Sequence, residues 1–149
     1  MRRSELLSQI PMFSKLEAED LESLASVTVE RKYEKGRVVF FEEDSGDALF
    51  VILDGSVKVT ISSEEGREII LTVLAKHDFF GEMSLLDNQP RSATAIAVEH
   101  TELLVLRRRE FLSIVKQKPH VLIALLGTIT TRLRKANRQI GNLALHDVY

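Results

Sequence analysis

The sequence contains no cysteine. That absence excludes disulfide frameworks, iron–sulfur ligation, thiolate zinc sites and thiol redox sensing, and it permits a reducing cytosolic address. Long hydrophobic runs are missing too. The N-terminal MRRSELLSQIPMF carries two arginines but no apolar stretch of signal-peptide length, and nowhere does the chain approach the roughly 18 apolar residues that span a bilayer. An unexported, cytoplasmic protein is expected. Nor is there a strong charge of either sign: 20 Lys+Arg against 22 Asp+Glu leave a net −2, which argues against a surface built as a whole to face nucleic-acid phosphates. The histidines are scattered at positions 77, 100, 120 and 146, without an HxH pair, and no motif sets a base beside a nucleophile. Neither an enzyme nor a metal site is expected; His77 reads as a solvated turn residue.

What is present fits one globular domain: 149 residues, 44% hydrophobic and 28% charged. From about Ser4 to Val27 the spacing predicts helix, with a break at Pro11. From Val29 to about Leu106 the signal changes to short apolar runs: RVVFF, ALFVIL, SVKVTI, EIILTVLA, ATAIAV and ELLVL. Glycine and acidic residues punctuate them at Lys35-Gly36, Asp44 to Asp47, Asp54-Gly55 and Glu64 to Gly66. The last reads as a polar hairpin tip without chemistry. Such spacing suits an antiparallel roll or barrel. Helical period returns at Arg108, and after Pro119 a long helix is predicted from about His120 to Leu145. Within it Leu122, Leu126, Ile129, Leu133, Ala136, Ile140 and Leu143 alternate at spacings of four and three, a heptad seam that calls for a partner helix. The chain stops at LHDVY with neither a capping glycine nor a polar tail, so it is expected to end where a further element begins.

The stretch FFGEMSLLDNQPRSATAIAV, Phe79 to Val98, carries the chemistry. A cyclic phosphodiester bears one negative charge on two exposed oxygens, which an arginine fork meets with charge-assisted bonds while a hydroxyl and a backbone N–H complete the shell. Arg91 and Ser92 fit those tasks. A carboxylate repels phosphate but accepts well from a ribose 2′-hydroxyl, and Glu82 fits that task. Gly81 lets the backbone come close, and the short helical turn after it would aim its amides at the anion.

Gly81-Glu82, the small Ser84, Leu85, five further residues and then Arg91-Ser92-Ala93 match the phosphate-binding cassette of cyclic-nucleotide-binding domains. Upstream, Gly46-Asp47 and Gly55 resemble the same family's first signature, with Glu43 standing where glycine is usual; a non-glycine residue there is expected to strain or reshape the loop. The resemblance covers residues 5–149, and the terminal IGNLALHDV is similar to the hinge of the catabolite-activator branch of the catabolite-activator/FNR family. It implies a mainly β fold with flanking helices, an antiparallel double-stranded β-helix (a cupin-like jelly roll) followed by a long dimerisation helix. Residues 1–118 would form the nucleotide-binding roll with its N-terminal helices, and 119–149 the long helix and the start of a hinge, with a homodimer joined through residues 120–145.

By that resemblance the function expected is effector binding and dimerisation in a cAMP-responsive transcription regulator, whose DNA contact comes only through a helix-turn-helix domain that this chain is not expected to contain. The implied ligand site comprises Gly81, Glu82, Met83, Ser84, Arg91, Ser92 and Ala93, with Arg132 and Asn137 from the long helix; no resident cofactor is implied. Ala136 and Asn137 stand where the cAMP-responsive members carry a Thr-Ser pair that touches the base. The amide of Asn137 can still pair with an adenine edge, and another anionic effector, cGMP or a cyclic dinucleotide, stays open. Arg107 to Arg109 and the cluster Arg132, Arg134, Lys135 and Arg138 read as solvated faces.

Overall fold

The computed structural model describes residues 1–148, with side chains at all of them except Arg132 and 142–148. The predicted N-terminal helix is three pieces, α1 (Arg3–Ser8), a 3-10 turn (Pro11–Phe13) and α2 (Ala18–Ser26). Pro11 explains the interruption, since it supplies no N–H and opens the turn in its first position. Eight strands follow: β1 (Val29–Tyr33), β2 (Val38–Phe40), β3 (Ala48–Asp54), β4 (Val57–Ser62), β5 (Glu68–Leu74), β6 (Phe79–Phe80), β7 (Thr94–Ala97) and β8 (Thr101–Arg107). The chain ends in α3 (Arg108–Gln117) and α4 (Pro119–Val148). The apolar runs did not mark β1, whose VERKY sequence is largely polar, or the two-residue β6.

The strands form two four-stranded sheets, β1-β8-β3-β6 and β2-β7-β4-β5, with every pairing antiparallel. That is the expected roll. Alternation along β3 and β8 explains how it is filled, because successive side chains point to opposite faces of a strand. Leu49, Val51, Leu104 and Leu106 face the helices and join Leu7, Phe13, Leu24 and Phe111 in one core. Ala48, Phe50, Ile52, Leu103 and Val105 face the second sheet and join Val57, Phe80 and Ala95 in another. β3 is thus buried on both sides, which is why ALFVIL reads as an unbroken apolar run.

Among the described residues, apolar surface is left open on β5 and on α4. On β5, at the edge of the second sheet, Ile69, Ile70, Leu71 and Val73 are exposed. On α4 the first turns bury Val121, Leu125 and Thr128, at spacings of four and three, against the body of the same chain. The predicted seam lies on another face: Leu122, Leu126, Leu133, Ala136 and Ile140 are exposed and Ile129 is half-buried. Leu143 falls outside the residues whose side chains are described. Residues 133–141 are exposed throughout.

Candidate functional site

The site begins with a loop that departs from easy backbone geometry. Glu43 has φ 76°, a left-handed conformation that costs an L-residue roughly 1–2 kcal/mol. This is the strain expected at the position. In that conformation the Glu43 N–H donates to the Arg91 carbonyl at 2.8 Å, while the Arg91 N–H donates to the Asp44 carbonyl at 2.7 Å. The loop before β3 therefore clamps the backbone of Arg91 from both directions, and an isolated bridge between Ser45 and Pro90 extends the contact.

Two glycines leave room for the side chain that follows. A Cβ on Gly81, at φ 78°, would lie 2.6 Å from Arg91 Nη1 and 2.8 Å from the Ala48 carbonyl oxygen. A Cβ on Gly46 would lie 2.6 Å from Ser84 Oγ and 2.9 Å from the Gln89 carbonyl oxygen. Neither separation is sterically tolerable, so glycine at both positions is a condition for the packing of arginine and serine between them.

Arg91 is 6% exposed. Its Nη1 donates to Ser84 Oγ at 2.7 Å and its Nη2 to the Ala48 carbonyl at 2.9 Å. Nε is buried without a hydrogen-bond partner. The guanidinium lies over the Phe40 ring, 4.2 Å from its centroid, and Phe40 packs on Phe50 and Phe80. Among the described residues no carboxylate forms an ion pair with it. Burial pushes the guanidinium below its ordinary pKa, and the charges of Asp47, Asp44 and Asp87 oppose that shift from a distance. An arginine so placed is a buried cation held by neutral acceptors and an aromatic face. Burying a cation is costly without a compensating charge, so the arrangement favours an anion.

Beside it lies a cavity of about 430 Å³, lined by the whole run Gly81, Glu82, Met83 and Ser84, by Arg91, Ser92 and Ala93, and by Phe40, Val59 and Phe80. Its volume falls in the range of small-ligand sites, about 300–1,000 Å³. Residues 82–85 form a 3-10 turn where a turn of helix was expected. Met83 and Ser92 are exposed at the mouth, and Ser84 is buried. Asn137 is exposed on α4 and does not line the cavity; the side chain of Arg132 lies outside the described residues. The apolar wall escaped the sequence reading. Phe40 and Phe80 read only as strand residues, and nothing in their spacing marks one of them as the platform for an arginine.

Histidine does other work. His100 Nδ1 lies 3.1 Å from Glu34, and His120 Nε2 lies 2.8 Å from Asp20. Among the described residues no cluster of His, Cys, Asp and Glu could hold a metal ion, and no helix is long and apolar enough to cross a membrane.

Residues 30–118 match the cyclic nucleotide-binding domain family. The chain is 36% identical over 137 residues to the Cyclic AMP receptor protein of Thermus thermophilus, covering 92% of this chain and 63% of that one. It is 29% identical over 144 residues to the CRP-like cAMP-activated global transcriptional regulator of Mycobacterium tuberculosis, covering 97% and 64%. Among solved structures it resembles the N-terminal domain of a transcriptional regulator from Streptomyces coelicolor A3(2), with TM-score 0.84, 35% identity, and coverage of 91% of this chain and 94% of that one. The chain thus spans a little under two thirds of the curated relatives it matches, 63% and 64% of their length.

Proposed function

The chain belongs to the cyclic nucleotide-binding domain family, and on that premise we propose that the cavity beside Arg91 takes a cyclic nucleotide, cAMP first. The observation that carries the reading is the Arg91 guanidinium, buried, unpaired with any carboxylate among the described residues, and bordering a cavity of ligand size. Its charge would meet the cyclic phosphate, with the Ser92 hydroxyl and the backbone at Gly81 and Ala93 completing the shell. Glu82 would accept from the ribose 2′-hydroxyl. Met83, with Phe40 and Val59, offers apolar surface to the rest of the ligand, and Ser84 positions the arginine. Arg132 and Asn137 are assigned to the Glu82 side of the site and to the base, respectively, by family resemblance. The names of the relatives, a cAMP receptor and a cAMP-activated transcriptional regulator, support this ligand.

Calorimetric titration with cAMP, cGMP and a cyclic dinucleotide tests the proposal. Micromolar binding of cAMP is the expected result. Preference for cGMP or a cyclic dinucleotide would transfer the site to the alternative effector, and the absence of threonine at position 136 is the feature that would explain it. No heat with any of them would overturn the nucleotide reading.

In this proposal residues 1–118 sense the effector and 119–149 join two chains, with DNA binding coupled through the long helix to a helix-turn-helix domain in the full-length regulator. Two features support the dimer. The α4 face bearing Leu122, Leu126, Leu133 and Ile140 is exposed, whereas the face that packs on its own chain is a different one. Its spacing is that of a two-helix seam. Leu133→Lys would place like charges in that seam, where burial is costly. A monomer with weakened nucleotide affinity is expected by sedimentation and titration, and a protein that stays dimeric would refute the seam.

A further inference from the structure

A second cavity of about 570 Å³, an open cleft at the surface, is lined by Asp47, Asn88, Arg108, Arg109, Ser113 and Lys116, of which all but Arg108 are exposed. Asn88 belongs to the same loop whose neighbours Asp87, Gln89 and Pro90 wall the first cavity. The loop therefore separates the two. On the other side, Arg109, Ser113 and Lys116 fall at spacings of four and three along α3, which brings them to one face of the helix.

The charge balance of this cavity is unlike that of the chain. The whole sequence carries a net −2, yet three cations border the second cavity against the single carboxylate of Asp47. Among the described residues none of the three side chains has an ion-pair or hydrogen-bond partner, and Arg108 Nε is buried in that condition. Arg107, next in the chain, is paired with Glu110 at 3.4 Å, so the unpaired state is a property of the three that line the cavity and not of the run as a whole. The backbone of Arg108 is fixed, its N–H donating to the Asp47 carbonyl at 2.6 Å.

We propose that this cavity is a second anion site, separate from the nucleotide cassette, for a small ligand bearing two or more phosphate groups. Two arginine forks and an ammonium offer planar and point-charge donors to phosphate oxygens. The Asn88 amide and the Ser113 hydroxyl add neutral donors. A docked protein segment is disfavoured because protein interfaces centre on aromatic and apolar anchors, and Leu112 is the one apolar residue lining the cavity.

Inorganic pyrophosphate is the probe, titrated by calorimetry into the parent chain, an Arg91→Ala variant and an Arg109→Ala/Lys116→Ala variant. Arg109 and Lys116 are exposed, so the double variant should fold, and its melting curve confirms that it does. The expected result is binding to the parent and to Arg91→Ala within threefold of each other, and a loss of tenfold or more in the double variant. Three outcomes would overturn the site: no binding to the parent, binding abolished by Arg91→Ala, or binding unaltered in the double variant. A six-residue glutamate peptide that binds more tightly than pyrophosphate would overturn the ligand class in favour of an acidic protein segment.

Discussion

Asp20 and Arg91 are both charged and both nearly inaccessible, with the side chain of Asp20 4% exposed and Arg91 6% exposed. They differ in their company. Asp20, on α2, lies 2.8 Å from His120 Nε2 and 3.5 Å from Lys118 Nζ, so its charge is spent joining α2 to the junction of α3 and α4. Among the described residues Arg91 meets a hydroxyl, a carbonyl and the rings of Phe40 and Phe50, all of them neutral. One buried charge closes an internal contact, and the other borders a cavity of ligand size without a carboxylate partner among the described residues. The proposed function makes one a charge that holds the fold and the other a charge that receives a ligand, and single substitutions can test that division.

The largest effect is expected at the open charge. Arg91→Ala should weaken cyclic-nucleotide binding by about 2–5 kcal/mol, roughly thirtyfold or more, because it strips the counter-charge from a desolvated phosphate. Stability without ligand should change by about 1 kcal/mol or less, since the hydrogen bonds lost to Ser84 and Ala48 are offset by removal of an uncompensated buried cation. Unchanged affinity, measured by calorimetry, would erase the contrast with Asp20.

At the closed charge the pattern should reverse. Asp20→Asn is expected to lower stability by about 1–2 kcal/mol and to leave nucleotide affinity as it was. Burial alone would raise the Asp20 carboxyl, but the His120 hydrogen bond and the charges of His120 and Lys118 outweigh it and hold the group below the usual carboxylate range. A carboxyl lowered by folding contributes stability that is present above its unfolded value and is lost as pH falls through the folded one. Urea denaturation from about pH 5 downward should therefore show a steeper loss in the parent than in Asp20→Asn. Equal slopes would remove Asp20 from the acid response.

The smallest effect sharpens the comparison at the loop that clamps Arg91. Glu43→Gly should relieve the left-handed strain and stabilise the protein by about 0.5 kcal/mol, the gain being reduced by the extra freedom of glycine in the unfolded chain. Its N–H remains to donate to the Arg91 carbonyl, so affinity should hold within threefold. A thermal melt that moves downward would show that the Glu43 side chain contributes more than its backbone costs.

Much of the fold is legible in the sequence. Strands with unbroken or alternating apolar residues were readable because burial acts on side chains locally, and the Gly81 to Ala93 run stood out because a close backbone approach, a turn and a buried arginine need particular residues at fixed spacing. The remainder depends on contacts distant in sequence. β1 is polar in sequence and is held by pairing with β8 through Val29↔Val105 and its neighbours. Phe40 lies 51 residues from Arg91, a separation no local pattern spans. The basic run Arg107 to Arg109 read as a solvated face, and Arg107 and Arg109 are exposed; its spacing could not show that Asp47 and Asn88, distant in sequence, lie beside it.

The base of α4 is gripped by Val121, Leu125 and Thr128, while residues 133–141 stand clear of the body. This makes the helix a lever with its fulcrum beside the helical layer. From Thr128 to Gly141 the arm is about 20 Å long at 1.5 Å per residue, so a tilt of about 10° at the fulcrum carries the far end through roughly 3.5 Å, more than half a helical pitch. A small repacking around Leu125 would thereby be amplified into a displacement comparable to the spacing of knobs along a helix seam.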